Sequence, residues 1–210
     1  MKTIKYIILG IAIMSMSIGN FHFAFGQEDM VFCETYNSRE ITTFIHTDDL
    51  FFKMVNQDQT DPGSAILGTC PESESATLWA HLQSQAFLKS LPDDIRFAWG
   101  SDVHSGYKTL YALRLSDTPN APLKQDIQTV TVQSSNREGS FDLLITFSGN
   151  GAEKWAEMTK KNTGKSIAIV LDGKVVAAPK VMTQINEGRC RISGDLSKDE
   201  ALAMKAQLES

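Results

Sequence analysis

The chain lacks the excess of basic residues with which proteins bind nucleic acid. Its 210 residues include 20 Lys and Arg against 25 Asp and Glu, so the formal net charge is −5 at pH 7. Affinity for nucleic acid comes largely from the neutralisation of phosphates by Lys and Arg, and we therefore expect no nucleic-acid partner. The hydrophobic fraction of 42% is ordinary for a globular protein, and the length suits one or two domains.

Cysteine is scarce, since the chain carries only Cys33, Cys70 and Cys190. No CxxC pair and no other metal-ligand spacing occurs, so the sequence predicts neither a zinc site nor a cofactor. An odd number of cysteines leaves at least one thiol unpaired. The simplest interpretation is a candidate disulfide between Cys33 and Cys70, with Cys190 as a buried thiol on the apolar face of a strand.

Histidine is nearly as scarce, with four residues in the chain. His46 lies near Asp48 and Asp49, but an acidic turn that caps a short helix explains these residues better than a metal site does. His46, His81 and His104 are the bases that a catalytic cysteine would need. No motif brings any of them to a thiol, so we expect no enzyme and keep a thiol-dependent enzyme as an alternative.

Long apolar runs are absent after residue 25. Before it, Lys2 and Lys5 precede an almost wholly apolar stretch at residues 6–18, and small residues end at Gly26. This pattern is typical of an export signal, and we expect cleavage after Gly26 and a periplasmic or secreted protein. The alternative is that residues 6–25 remain as an anchor in the inner membrane, since about 20 apolar residues can span a bilayer.

The remaining sequence divides into three regions by its pattern. Residues 27–63 are polar and irregular, with one strand-like run at residues 41–45. Residues 64–122 contain helix and strand signals and end in a turn-rich connection with two prolines at residues 117–122. Residues 123–210 carry the clearest pattern of strands and helices.

In that third region the strand at residues 141–147 alternates, and Leu144 falls on the face opposite Phe141 and Ile145. Asn150 is expected to cap the helix that follows. The pair Asp172-Gly173 suits a type I′ hairpin turn, because both positions of that turn require a positive φ. Strands followed by helices without long crossovers predict an α+β fold, a mainly antiparallel sheet with helices packed on one face.

The same region resembles a known family. Its head-like stretches are residues 151–159, 162–175, 178–179, 185–188, 192–196 and 199–201. These residues are similar to the head subdomain of the first periplasmic domain of SecD and fused SecDF export proteins. A weaker similarity covers residues 91–100, 111–113 and 121–123. We therefore interpret residues 64–122 as a partial base-like segment and residues 123–210 as a head-like domain, after the signal at residues 1–26 and the irregular segment at residues 27–63.

The resemblance implies turn-forming residues and a function. Its motif residues in turns are Gly164, Asp172, Gly173, Pro179, Gly188 and Gly194. It implies a non-enzymatic accessory of Sec-dependent export that contacts unfolded preprotein beside the Sec translocase. Since the membrane helices of the family are missing from this sequence, it is not expected to act alone as a proton-driven motor.

A receiver for an unfolded chain needs an apolar groove or a free sheet edge. Leu144 is the candidate for polypeptide contact, provided that no helix covers its face of the sheet. The alternative to an export role is a repurposed envelope protein that binds another partner through the same scaffold.

Overall fold

The computed structural model describes residues 30–58, 60–115 and 121–209. The strands in these residues are β1 (Met30–Tyr36), β2 (Ile66–Pro71), β3 (Ile95–His104), β4 (Tyr107–Arg114), β5 (Ile127–Ser134), β6 (Phe141–Phe147), β7 (Ile167–Leu171), β8 (Lys174–Ala177) and β9 (Arg189–Leu196). The helices are α1 (Ser38–Ile45), α2 (Asp49–Met54), α3 (Ser75–Leu82), α4 (Gln85–Leu88), α5 (Gly149–Lys161) and α6 (Lys198–Glu209). The predicted signal segment and most of the proline-containing connection lie outside the described residues.

The strands form two sheets. In the larger sheet β1 pairs with β7 on one edge and with β4 on the other, β7 pairs with β8, β8 with β3, and β3 with β4. These five strands therefore close into a ring, and β2 extends the sheet from β4. The smaller sheet has the order β5-β6-β9. All these pairings are antiparallel except that of β3 with β8, so the predicted α+β class with mainly antiparallel sheets is confirmed, although it uses two sheets.

The buried apolar side chains form three clusters. The ring cluster comprises Cys33, Ala98, Leu113, Ala168, Val170 and Val175. The N-terminal cluster comprises Tyr36, Ile41, Ile45, Phe51, Met54, Val55, Leu67, Cys70, Leu78, Leu82, Phe87, Leu91, Ile95, Phe97, Leu110 and Ala112. The C-terminal cluster comprises Phe32, Val130, Leu143, Ile145, Phe147, Trp155, Met158, Ile167, Ile169, Leu171, Val181, Cys190, Ile192, Ala201 and Leu208.

Strand β7 is apolar at every position because it is buried on both faces. Ile167, Ile169 and Leu171 face the C-terminal cluster, whereas Ala168 and Val170 face the ring cluster. Antiparallel strands commonly alternate between apolar and polar residues, and a strand between two packed layers has no solvent face on which to place polar ones. The ring interior accepts mainly small side chains, since five strands enclose little space.

The interpretation of residues 27–63 as irregular is wrong for the described residues. Strand β1 lies in the centre of the larger sheet, and residues 38–45 form helix α1 instead of the expected strand at residues 41–45. The side chain of Asn37 accepts a hydrogen bond from the backbone of Glu40, and the Glu40 side chain accepts one from the backbone of Asn37. This capping box starts the helix, and Ile41 and Ile45 are buried one turn apart. Burial at helical spacing thus outweighs the strand preference of β-branched residues.

The three predicted regions share one sheet. Glu34 of β1 lies opposite Ile167 of β7 on one edge and opposite Arg114 of β4 on the other. Its carboxylate is also 2.7 Å from the ammonium of Lys161 on α5. The N-terminal strand therefore joins the base-like and head-like parts of the chain.

Candidate functional site

A groove of about 290 Å³ lies between the β7–β8 hairpin, the end of β3 and helix α6. We call it the hairpin–helix groove. Its apolar lining consists of Leu171, Val176, Leu196, Ala203 and Met204. Leu171 belongs to the C-terminal cluster, and Val176, Leu196 and Met204 pack against that cluster. The residues of the apolar floor therefore pack against buried side chains, and this packing fixes the shape of the groove.

The rim of the groove is polar, and three of its four charged residues are acidic. Asp102 stands at the end of β3, Asp172 in the hairpin turn, Glu200 in the first turn of α6, and Lys174 at the start of β8. The Gln207 amide donates a hydrogen bond of 2.9 Å to Asp172, which links the hairpin to α6. Rim residues from three elements thus surround the apolar floor.

Glu200 is held in place by the residue that precedes its helix. Its carboxylate accepts hydrogen bonds from the backbone N–H of Ser197 at 2.8 Å and from the hydroxyl of Ser197 at 2.7 Å. These two bonds lower the pKa of Glu200 below its ordinary value of 4.5. The carboxylate is therefore negatively charged at neutral pH.

One wall of the groove is a strand end with an open edge. Strand β3 pairs with β8 at Gly100 and Val175, and beyond Gly100 its described pairings are with β4 alone. Ser101 and Asp102, which line the groove, belong to this end of β3. A strand end without a neighbour offers backbone N–H and C=O groups to an extended chain.

A larger depression of about 530 Å³ lies beside α1, and its lining residues are polar apart from Pro62. It includes Ser38, Thr42, Thr43, Arg39 and His46. Two of its hydroxyls are already engaged, because Thr42 donates to Ser38 O and Thr43 donates to Glu40 O. The hairpin–helix groove is instead lined by five apolar residues, so we take the smaller groove as the better receiver for apolar side chains.

Leu144 does not line the hairpin–helix groove. It is half-buried in β6, opposite Thr131 of β5 and Arg191 of β9. Helices α5 and α6 pack on the other face of this sheet, where Leu143 and Ile145 belong to the C-terminal cluster. Leu144 is therefore a single apolar residue among polar neighbours, and its role in polypeptide contact stays a prediction.

Most of the family-motif residues lie in turns or at the ends of elements. Asp172 and Gly173 link β7 to β8 with φ of 51° and 73°. Gly164 follows α5 with φ of 82°, and its N–H donates to Val181 O. Gly188 precedes β9 with φ of 60°.

Pro179 follows β8, and its carbonyl accepts a hydrogen bond from Ile167 N. Gly194 differs from the expectation, because it lies inside β9 and not in a turn.

The cysteines do not form the expected pair. Cys33, Cys70 and Cys190 are free, buried thiols that belong to three different clusters. Alternation along β1 directs Cys33 into the ring, away from the N-terminal cluster that holds Cys70, and this is why the predicted Cys33–Cys70 disulfide is wrong. Burial raises the pKa of Cys33 and of Cys190 from 9.0 to about 12, which opposes formation of a nucleophilic thiolate.

The histidine and aspartate candidates have structural partners. Both oxygens of Asp48 are 3.0 Å from Nε2 of His81, and Asp48 also accepts a hydrogen bond from Phe51 N at the start of α2. His46 contacts the carbonyl of Thr43. Within the described ranges, no group of three or more potential metal ligands is assembled.

Sequence patterns singled out Asp172 of the groove, but for its turn and not for a site. The apolar residues of the floor come from β7, β8, β9 and α6. A hydrophobic pattern does not distinguish a fully buried position from one beside a groove, such as that of Met204. No signal in a single sequence brings these elements together.

Comparison with known proteins finds a family match for the C-terminal part of the chain. Residues 121–210 match the family described as SecDF, P1 head subdomain. The SecD translocase subunit of Acidaminococcus fermentans is 38% identical over 77 residues, which cover 37% of this chain and 18% of that protein. The SecDF subunit of Thermus thermophilus is 42% identical over 72 residues, which cover 34% of this chain and 10% of that protein. The chain thus spans less than a fifth of these relatives.

A crystal structure of SecDF in its super-membrane-facing form is similar over 87% of this chain and 18% of its own, with a TM-score of 0.44 and 20% identity. The expected resemblance to the SecD and SecDF head is confirmed for residues 121–210. Among the described residues, no helix is long and apolar enough to cross a membrane.

Proposed function

Because residues 121–210 match the SecDF P1 head subdomain, we propose that this chain is a non-enzymatic accessory of protein export that contacts unfolded preprotein outside the cytoplasm. The contact surface is the hairpin–helix groove. The observation that carries the proposal is that the groove's apolar floor lies wholly within the matched residues. Only Ser101 and Asp102 of its lining come from outside them.

The chemistry of the groove suits an unfolded chain. Such a chain exposes apolar side chains, which the floor can cover, and unpaired backbone groups, which the end of β3 can pair. Backbone pairing is tolerant of sequence, as a receiver of many different proteins requires. At about 290 Å³ the groove is at the small end of ligand sites, so it holds a short stretch of chain and releases it readily.

We propose that the chain binds the polypeptide without reacting with it and without driving its movement. The three thiols are buried in separate clusters, and burial is the largest cause of the raised pKa of each. Buried thiols with raised pKa values are inert, which favours binding over thiol chemistry. The matched residues correspond to a head subdomain, and we assign to it contact with the polypeptide and not the movement that drives export.

Binding to a permanently unfolded protein tests the groove. The purified chain is titrated against a reduced and alkylated, fluorescently labelled protein, and anisotropy is measured. The Ala203→Tyr variant, which fills the groove, is expected to weaken binding about tenfold or more. Ala206→Tyr is the matched control, since both alanines are exposed on α6 and only Ala203 lines the groove. Equal binding by all three proteins would refute the groove as the contact surface.

Co-purification distinguishes an export accessory from an envelope protein with another partner. We expect the tagged full-length chain to be recovered with the Sec membrane complex after mild solubilisation and chemical cross-linking. Recovery with a different envelope protein, and without Sec components, would support the repurposed scaffold instead.

A further inference from the structure

We propose that the hairpin–helix groove prefers polypeptide segments in which a short apolar stretch is flanked by Lys or Arg. This inference rests on the proposed function, because it names the class of polypeptide that the same groove would select. The groove combines an apolar floor with a rim on which three carboxylates face one ammonium group. The carboxylates are Asp102, Asp172 and Glu200, and the ammonium group is that of Lys174.

The rim carboxylates are not neutralised by the protein itself. Asp102 accepts a hydrogen bond from the hydroxyl of Ser101, Asp172 from the amide of Gln207, and Glu200 from Ser197. All three donors are uncharged. Across the part of the chain that the structure describes, none of the three carboxylates lies within ion-pair distance of a Lys, Arg or His.

Two buried carboxylates elsewhere in the described residues are each paired with a lysine. Glu34 lies 2.7 Å from Lys161, and Asp126 lies 2.8 Å from Lys154. The groove differs, because its three exposed carboxylates border an apolar floor and, among the described residues, lie beyond ion-pair distance of any Lys, Arg or His.

The placement of the acids suits an extended occupant. They come from three elements, the end of β3, the hairpin turn and the first turn of α6, so they stand on different sides of the floor. A segment whose apolar side chains cover Val176 and Met204 would bring its flanking residues to this rim. Basic flanks gain attraction there, whereas acidic flanks are repelled.

Three labelled peptides of equal length test the preference. They share one apolar centre and carry Lys, Ser or Glu on both sides, and their anisotropy is measured with the purified full-length chain. We expect the Lys-flanked peptide to bind about tenfold more tightly than the Ser-flanked one, and the Glu-flanked peptide to bind most weakly. The difference should shrink as salt is raised, since exposed charges are screened.

Two variants of the rim add a second test, because one removes a negative charge and the other removes a positive charge. Asp102→Asn should weaken binding of the Lys-flanked peptide more than binding of the Ser-flanked one, whereas Lys174→Gln should strengthen binding of the Lys-flanked peptide more than that of the Ser-flanked one. Asp58→Asn is the control, because it removes an exposed carboxylate that does not line the groove.

The outcomes separate the inference from the proposed function. If all three peptides bind equally and Ala203→Tyr still weakens them, the charge preference is refuted and the apolar groove stands. If the order of affinity is reversed, or if Asp58→Asn acts like Asp102→Asn, the preference is also refuted. If no peptide binds, both the preference and the groove are refuted.

Discussion

Two glycines allow the first turn of α5 to lie close to its neighbours. A Cβ atom on Gly151 would stand 2.6 Å from Cβ of Asp126, and one on Gly188 would stand 2.5 Å from Cβ of Ala152. Real Cβ atoms do not approach so closely, so any larger residue would move the helix away from β6. The resemblance pointed to Gly188 as a turn residue, but its close contact with α5 was not predictable from sequence.

Replacing Gly188 is expected to be costly for two reasons. Gly188→Ala places a Cβ both at φ of 60° and against Ala152. We expect a loss of about 3 kcal/mol or more in the free energy of unfolding, measured by urea denaturation. Gly139→Ala is the control, because Gly139 has φ of 79° but no atom within 4 Å of the added Cβ. It should cost only about 1–2 kcal/mol, and equal costs would contradict the close contact.

The thiols provide a second prediction at the residue scale. Iodoacetamide at about pH 8 should leave Cys33, Cys70 and Cys190 unmodified in the native protein and modify all three in urea, because all are buried. Mass spectrometry of the intact protein gives the count. Rapid modification of native Cys33 or Cys70, or a native protein two mass units lighter than the reduced chain, would contradict the assignment of free buried thiols.

The raised thiol pKa values also predict how stability depends on pH. Cys190 in the unfolded chain ionises near 9.0, whereas in the folded chain burial raises its pKa to about 12. Its contribution to stability is therefore complete below pH 9 and is lost as the pH rises from 9 towards 12. The fall in urea midpoint between about pH 8 and about pH 10.5 should be shallower in Cys190→Ala than in the parent chain. An equal fall in urea midpoint in the parent chain and in Cys190→Ala would contradict the raised pKa of Cys190.

At the scale of elements, β1 is the connection that the sequence pattern did not reveal. Its Phe32 packs with ring centroids 5.5 Å from Phe147 and 5.1 Å from Trp155. The next residue, Cys33, faces the ring interior, and the carboxylate of Glu34 pairs with Lys161. Glu34 and Thr35 interrupt the apolar residues of β1, because their side chains bond to Lys161 and to the carbonyl of Ser166. The strand therefore has neither a clear alternation nor a continuous apolar run, and for this reason it was interpreted as irregular.

Truncating Phe32 should therefore destabilise the C-terminal cluster although the residue lies far away in sequence. We expect Phe32→Ala to lower the free energy of unfolding by about 3–5 kcal/mol, because the large side chain is buried and leaves a cavity. Val103→Ala, at an exposed residue of β3, should change it by less than about 0.5 kcal/mol. A small effect of Phe32→Ala would place β1 outside the core.

Other elements were predictable to different degrees. The Asp172-Gly173 turn followed from the demand for positive φ at both of its positions. Val181, in contrast, is held by backbone bonds to Gly164 and Lys165 in an irregular segment. The helix expected to be capped by Asn150 begins at Gly149, after Ser148. Turn and capping residues identify regular elements from local sequence. An irregular segment whose backbone bonds to residues far away in sequence has no such local pattern.

At the scale of the whole molecule, the strand ring joins the N-terminal and C-terminal clusters. β1 and β7 supply side chains to the C-terminal cluster on one face and to the ring cluster on the other, and Tyr36 at the end of β1 reaches the N-terminal cluster. Neither cluster can lose its structure without exposing the ring. We infer that the described parts of the chain unfold as one unit.

Tryptophan fluorescence tests this cooperativity. Trp155 lies in the C-terminal cluster, and Trp79 and Trp99 pack against the N-terminal cluster. A Trp155→Phe variant reports the N-terminal cluster, and a Trp79→Phe/Trp99→Phe variant reports the C-terminal one. Each variant should give the same urea midpoint by fluorescence as by far-ultraviolet circular dichroism. Different midpoints by the two probes in one variant would show that the clusters unfold separately.

Contact with a protein in the course of export is the central claim for the whole molecule. A photo-reactive amino acid at Ala203 places the probe on the groove wall, and one at Ala206 places it on the same helix outside the lining. Cells producing the full-length chain are irradiated while export of a model preprotein is arrested. We expect the preprotein to be cross-linked strongly from position 203 and weakly from position 206. Equal cross-linking from both positions, or cross-linking from Leu144 alone, would contradict it.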